Sequence, residues 1–213
     1  MRNIMNLVNL SFNNFLSVKK MALFILVAFS IASLINPSFS TMLMGMMTYV
    51  IAYQTMAYED SYGIDYMISH LPVTKNEYVI SRYIFCIITI VVASILCSLI
   101  FFISNKVNVV DLSGIDYKII LYIGIISAVT LVSVLIPVLL YFGMKKGRMA
   151  MIFIFMIIVM IPSLAVDDMQ TVIKILNKLS EININLFSAI LTILILLISY
   201  FITRFLYEKK EVI

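Results

Sequence analysis

Charge is what this sequence has least of. Only 12% of its 213 residues are Asp, Glu, Lys or Arg, about half the share usual in a soluble domain. Histidine occurs once, at His70, and cysteine twice, at Cys86 and Cys97. A zinc centre built on spaced Cys and His ligands is therefore excluded, and no metal site is expected. The two cysteines stand 11 residues apart in one apolar run. Along a helix that is about 16 Å, too far for a mutual disulfide, so both read as small buried hydrophobes. No G-x-x-x-x-G-K-[ST] loop is present, so the chain has no means of hydrolysing ATP by that route. H-E-x-x-H and G-x-S-x-G are missing as well. Every polar stretch is short, which leaves no room for a soluble catalytic domain, and no catalytic residue is expected.

What the sequence has instead is apolar length. Hydrophobic residues make up 63% of it, and several runs approach the roughly 20 residues needed to cross a bilayer core. The expected fold is an all-α polytopic membrane protein, a single transmembrane domain over residues 1–213 with six spans. These fall near 19–37, 41–58, 81–104, 118–142, 149–166 and 184–206, with kinks expected at Pro137 and Pro162 because proline removes a backbone donor. Ahead of the first span, residues 1–18 form an amphipathic helix expected to lie in the interface. Its apolar face is Ile4, Val8, Phe12, Phe15 and Leu16, with Asn6, Asn9, Asn13 and Asn14 mostly elsewhere. A signal peptide is the rival for Met21 to Ile35, but the leader before it is long and more spans follow at once.

With the N-terminus inside, eleven basic residues face the cytoplasm: Arg2, Lys19, Lys20, Lys75, Arg82, Lys145, Lys146, Arg148, Arg204, Lys209 and Lys210. Four face out: Lys106, Lys118, Lys174 and Lys178. This bias sets the orientation, with both termini cytoplasmic. The net charge of +4 is thus a topological signal spread over separate loops, and no nucleic-acid partner is expected. On the outer side, residues 167–183 carry Met169, Val172, Ile173, Leu176 and Leu179 on one helical face. That predicts a helical segment lying along or dipping into the outer surface, with a plain exposed linker as the alternative.

The longest cytoplasmic interruption is Glu59 to Tyr83. Ile64, Met67, Ile68 and Leu71 make one stripe of a short amphipathic helix, predicted over Ser61 to Leu71 and stopped by Pro72. Thr74-Lys75-Asn76-Glu77 is a capping box opening the next helix. Inside the spans, ionisable residues are nearly absent; Arg82 and Arg204 lie near inner ends, where long side chains are expected to snorkel to water. Proton relays need buried ionisable groups, so a proton-coupled pump is disfavoured and any uphill transport draws its energy from outside the chain.

The order of these parts resembles the membrane subunit of an ABC-2 type transporter. The local match is Glu59, a short amphipathic turn, Leu71-Pro72-Val73-Thr74, then Glu77 and Arg82. It is similar to the family's acidic residue, short helix, Pro-Val-Ser/Thr, acidic residue and basic residue entering the third span. No arginine precedes Glu59, and Gly63 interrupts the start of the short helix. The small size resembles the bacterial branch that exports peptides, phenol-soluble modulins among them. The resemblance implies a bacterial plasma-membrane exporter permease without its own ATPase, paired with a second identical or different permease and driven by two copies of an ABC ATPase that hold ATP and Mg. It makes residues 59–77 a coupling segment, with Tyr62, Asp65, Tyr66 and His70 on the side that docks in the ATPase. Glu59, Pro72, Thr74, Glu77 and Arg82 form the motif that carries it. The basic turn Gly143 to Arg148 is either a second contact or topological charge. Met46, Tyr49, Tyr53, Gln54 and Met156 are candidates for a path suited to amphipathic cargo, since methionine adapts to varied apolar shapes; plain packing explains the same residues equally well. A non-transporting immunity or sensor protein and a facilitative channel are the alternatives from other classes.

Overall fold

The computed structural model describes residues 2–35, 39–70, 72–107, 117–165 and 184–209. The predicted outer segment 167–183, Leu71, and the side chains of Asp65, Ile68 and Met156 lie outside the described residues. Every element is helical: α1 Arg2–Ile35, α2 Phe39–Ser61, α3 Ile64–Ser69, α4 Lys75–Val107, α5 Tyr117–Ala165 and α6 Ile184–Glu208. Among the described residues, three helical stretches are long and apolar enough to cross a membrane, Lys75–Ile103, Leu121–Met151 and Ala189–Glu208. Asn3–Lys20 and Leu23–Ala32, whose limbs meet at 62°, pass the same test only when taken together as one broken span. That bend falls where the interfacial helix was expected to turn into the first span.

The predicted second span is helical throughout, inside α2, but it does not resemble a lipid-facing helix. Leu43, Met44, Met47, Thr48, Ile51, Ala52, Thr55, Met56 and Glu59 are all buried, a stripe packed on α1, α4 and α5. A helix covered by protein tolerates threonine and a carboxylate that lipid would not, and each threonine turns its hydroxyl back onto its own helix. Thr48 donates to the Met44 carbonyl at 2.9 Å and Thr55 to that of Ile51 at 2.7 Å. By contrast, α6 exposes Ile193, Leu197, Phe201 and Phe205, an apolar face that in water would aggregate and in a bilayer is solvated by lipid.

The fourth and fifth predicted spans are the two limbs of α5, broken at Gly143, whose φ of 69° and ψ of 175° are not helical. Glycine alone takes such a φ without strain. After the break the chain doubles back. A Cβ placed on Gly147 would stand 3.0 Å from Leu139 Cδ2 and 3.6 Å from Leu139 Cα, although residues eight apart in a straight helix are about 12 Å apart. The expected turn at residues 143–148 is thus a tight hairpin. The backbone at Pro137 and Pro162 stays helical, so the break lies at the glycine instead of the prolines.

The N-terminal helix differs from expectation in which face it buries. Leu7, Val8, Ser11 and Asn14 are buried, whereas Leu16 and Met5 are exposed. Asn14, assigned from its sequence position to the outer side of the wheel, points into the bundle. The reason is the partner waiting for it.

Candidate functional site

Glu59 closes the last turn of α2, and Arg82 lies two turns into α4. Arg82 was expected to snorkel to water; instead its guanidinium is turned inward and 1% exposed, and Glu59 is 3% exposed. Arg82 Nη1 donates to Glu59 Oε1 at 2.7 Å. Nη2 approaches Oε2 at 2.6 Å, off the line of a good hydrogen bond. The same Oε1 accepts from Asn14 Nδ2 at 3.0 Å, and Arg82 Nη1 also donates to Ser11 Oγ at 2.5 Å. Ser11 in turn donates to the Leu7 carbonyl at 3.1 Å. One flank of the guanidinium lies 4.4 Å from the centroid of the Tyr78 ring, a cation–π contact that strengthens on desolvation. Charges this deep persist only when paired and hydrogen-bonded, because stripping their water costs several kcal/mol per ion. Here α1, α2 and α4 each supply part of the compensation.

The pair encloses the segment that carries α3. Beyond Glu59 the chain leaves α2 through Tyr62 and Gly63, the latter at φ 62°. It makes the single helix Ile64–Ser69 and returns to α4 by Pro72. The short helix is six residues long, less than the eleven from Ser61 to Leu71 expected from the stripe, because α2 holds Ser61 and the left-handed Gly63 separates the two helices. It ends before Pro72, with His70 N donating to the Met67 carbonyl at 3.2 Å. Asn3 Nδ2 donates to the Pro72 carbonyl at 3.3 Å. The capping box is built as predicted. Glu77 N donates to Thr74 Oγ1 at 3.2 Å, and Thr74 N to Glu77 Oε2 at 2.9 Å.

Of the predicted docking residues, Tyr62 and Tyr66 are 66% and 60% exposed, and His70 is exposed as well. The apolar stripe is divided. Ile64 is buried but Met67 is 62% exposed, so Met67 joins the tyrosines on the open side instead of resting on the bundle. The aromatic rings are organised in pairs, Tyr58 with Tyr62 at 4.4 Å between centroids and Tyr66 with His70 at 4.6 Å. The Tyr62 hydroxyl is held above the ordinary phenol range, first by its hydrogen bond to Tyr58 and then by the repulsion of a second phenolate. It stays neutral, and with Tyr66 and Met67 it forms an exposed aromatic and apolar patch.

The candidate path residues Met46, Tyr49 and Tyr53 lie on the half-buried side of α2 opposite its packed stripe, and Gln54, also half-buried, lies at the stripe's edge, two turns after Met47. Tyr49 and Tyr53 stack at 5.9 Å.

A second polar cluster starts one residue after Arg82, where no sequence signal was recognised. Proline has no N–H, so Pro137 leaves the Ser133 carbonyl of α5 without its helical donor. Ser199 of α6 replaces it, donating Oγ–H to that carbonyl at 2.6 Å. Ser199 has then used its proton, so the 2.6 Å contact with Tyr83 is donated by the Tyr83 hydroxyl. Thr203 Oγ1, 2.7 Å from Tyr83, can donate to it or to the Ser199 carbonyl at 2.8 Å. The direction Thr203 to Tyr83 to Ser199 to Ser133 satisfies each hydroxyl and ties α6, α4 and α5 together.

The parts around α3 meet at one end of the bundle. Asn3 touches Pro72, Lys75 Nζ donates to the Glu208 carbonyl at 3.2 Å, and Asp60 Oδ1 lies beside Gly143. The N-terminal helix, α3, the hairpin turn and the end of α6 therefore share a face.

What this fold and site define is a helical membrane protein with one short helix slung between two membrane helices, beside both chain ends. The model of a family described as ABC-2 family transporter protein matches residues 9–208, nearly the whole chain, and the protein belongs to that family. It is a membrane permease of the ABC transporter class. No curated protein and no solved structure matches it.

Proposed function

We propose that this permease is worked by a separate ABC ATPase, present in two copies with its own ATP and Mg, which docks on α3. A second permease subunit, identical or different, completes the membrane unit. Both termini face the bacterial cytoplasm. The observation that carries this reading is the Glu59–Arg82 pair. It joins the two ends of the segment bearing α3, so force applied to the short helix reaches α2 and α4 together and, through Asn14, α1. Tyr62, Asp65, Tyr66 and His70 are the docking residues, and Glu59, Pro72, Thr74, Glu77 and Arg82 the frame that holds them. Export of amphipathic or peptide-like cargo past Met46, Tyr49, Tyr53, Gln54 and Met156 completes the proposal. The exposed Tyr62, Tyr66 and Met67 favour a cleft on the ATPase with apolar walls.

Copurification tests it. An ATPase lacking membrane spans should come down with the tagged permease, and alanine at Tyr62, Asp65 and Tyr66 together should release it from a bundle that stays folded. Retention of the ATPase by that variant sinks the docking assignment; purification of a transport-competent permease with no ATPase sinks the wider reading in favour of a channel. In the reconstituted complex, stimulation of ATP hydrolysis by cationic peptides, antibiotics or lipids identifies the cargo class.

A further inference from the structure

We propose that the slot between α4 and α6 is a binding site for one acyl chain of an anionic phospholipid, with Arg204 holding the headgroup. The slot has a volume of about 170 Å³ and is walled by Ile80, Ile84 and Ile87 on one side and Leu196, Leu197 and Tyr200 on the other, over Tyr83. Two tyrosines would ordinarily make such a place polar. Both hydroxyls are turned away into the protein, Tyr83 to Ser199 and Thr203 and Tyr200 to Asn76 Oδ1 at 2.7 Å. Only ring faces remain, set edge to face with centroids 5.8 Å apart.

The size selects the occupant. One turn of α-helix, roughly 10 Å across and 5.4 Å long, does not enter a slot of about 170 Å³, whereas part of one acyl chain, thin and free to bend, does. The charge selects the kind of lipid. Arg204 follows Tyr200 by one helical turn and Leu197 by two, about 10 Å along α6, which puts a cation at headgroup level below the tail. It is 45% exposed and is engaged by Glu208 through Nε at 2.9 Å. Lys75 and Lys209 flank the same end, Lys209 lying 4.0 Å over the Phe205 ring. Apolar above and with Arg204, Lys75 and Lys209 around Glu208 below, the site complements the net negative charge of a phosphatidylglycerol better than a zwitterionic headgroup, whose choline cation the same bases repel. This inference needs only a membrane and does not depend on any ATPase.

The test is native mass spectrometry of the full chain, exchanged from vesicles of equal phosphatidylglycerol and phosphatidylcholine with matched tails. The wild-type protein should retain the anionic lipid about fivefold more, one cation's share at a membrane surface. Arg204→Gln should equalise the two lipids. Ile84→Trp, which fills the slot, should abolish retention of both, while Ile193→Trp on the exposed face of the same helix should behave as wild type. Leu197→Phe, a milder filling, replaces Ile84→Trp if that variant fails to fold. Equal retention by the wild type, a preference that survives Arg204→Gln, or lipid bound as well with the slot filled would each overturn the proposal.

Discussion

Arg82 and Tyr83 are neighbours on α4 that solve the same problem in opposite ways. Arg82 reaches toward α1 and α2 and is met by a full counter-charge and a hydroxyl, while an amide of α1 donates to the counter-charge itself. Tyr83 reaches toward α5 and α6 and joins a neutral chain of hydroxyls ending on a carbonyl that a proline left bare. The first cluster is costly to assemble and severe to break. The second consists of bonds worth little singly, since the competing state in a membrane also finds partners. The side of the bundle that bears α3 is thus joined by an all-or-none device, and the side that faces lipid by a forgiving one.

The largest effect that tests this contrast comes from removing one charge. Arg82→Ala or Glu59→Ala should each cost about 3–5 kcal/mol, because a charge is left buried and alone, and should lower the thermal midpoint in detergent sharply. The pair Glu59→Leu with Arg82→Met should recover most of that stability while uncoupling ATP hydrolysis from transport; a double variant as unstable as the singles would remove the contrast. Next in size, Ser199→Ala should cost on the order of 1–3 kcal/mol for the unsatisfied Ser133 carbonyl. Pro137→Ala restores that carbonyl's own helical donor, so in its background Ser199→Ala should cost almost nothing, and additive losses in the cycle would refute the repair by Ser199. Smaller again, Tyr83→Phe should cost about 0.6 kcal/mol, the average for a hydrogen bond within a membrane. Least of all, Tyr62→Ala with Tyr66→Ala should leave stability within about 0.5 kcal/mol, as exposed positions do, while the bound ATPase is lost.

The helical, membrane-crossing character of the chain was legible because apolar length and proline leave one-dimensional marks. The capping box at Thr74 and Glu77 was equally plain, since its two bonds join residues three apart. The Arg82 cluster was not. Arginine near the end of a span ordinarily reaches water, and what turns Arg82 inward is a carboxylate 23 residues away and a hydroxyl 71 residues away. One clue was available: Leu7, Ser11 and Asn14 follow one another at helical spacing, a mixed polar and apolar stripe that fits a buried polar partner better than a lipid surface. The hydroxyl chain was hidden for a different reason. A proline in a span announces an orphaned carbonyl four residues earlier, but not that Ser199, 66 positions from Ser133, will answer it. Met46, Tyr49 and Tyr53 share the half-buried side of α2, a grouping not drawn from the sequence, and the hairpin depends on Gly143 adopting a conformation that composition alone does not reveal.

The Glu59–Arg82 pair also has a consequence for how the protein is made. The ribosome emits Glu59 well before Arg82, so α2 reaches the insertion machinery with a carboxylate in its last turn and no counter-ion for it. Pairing of that carboxylate has to wait until the third membrane segment arrives. Nascent chains arrested short of Arg82 should leave α2 crosslinkable to the insertase, and chains arrested beyond α4 should not; in this protein, two neighbouring spans are obliged to enter the membrane as one.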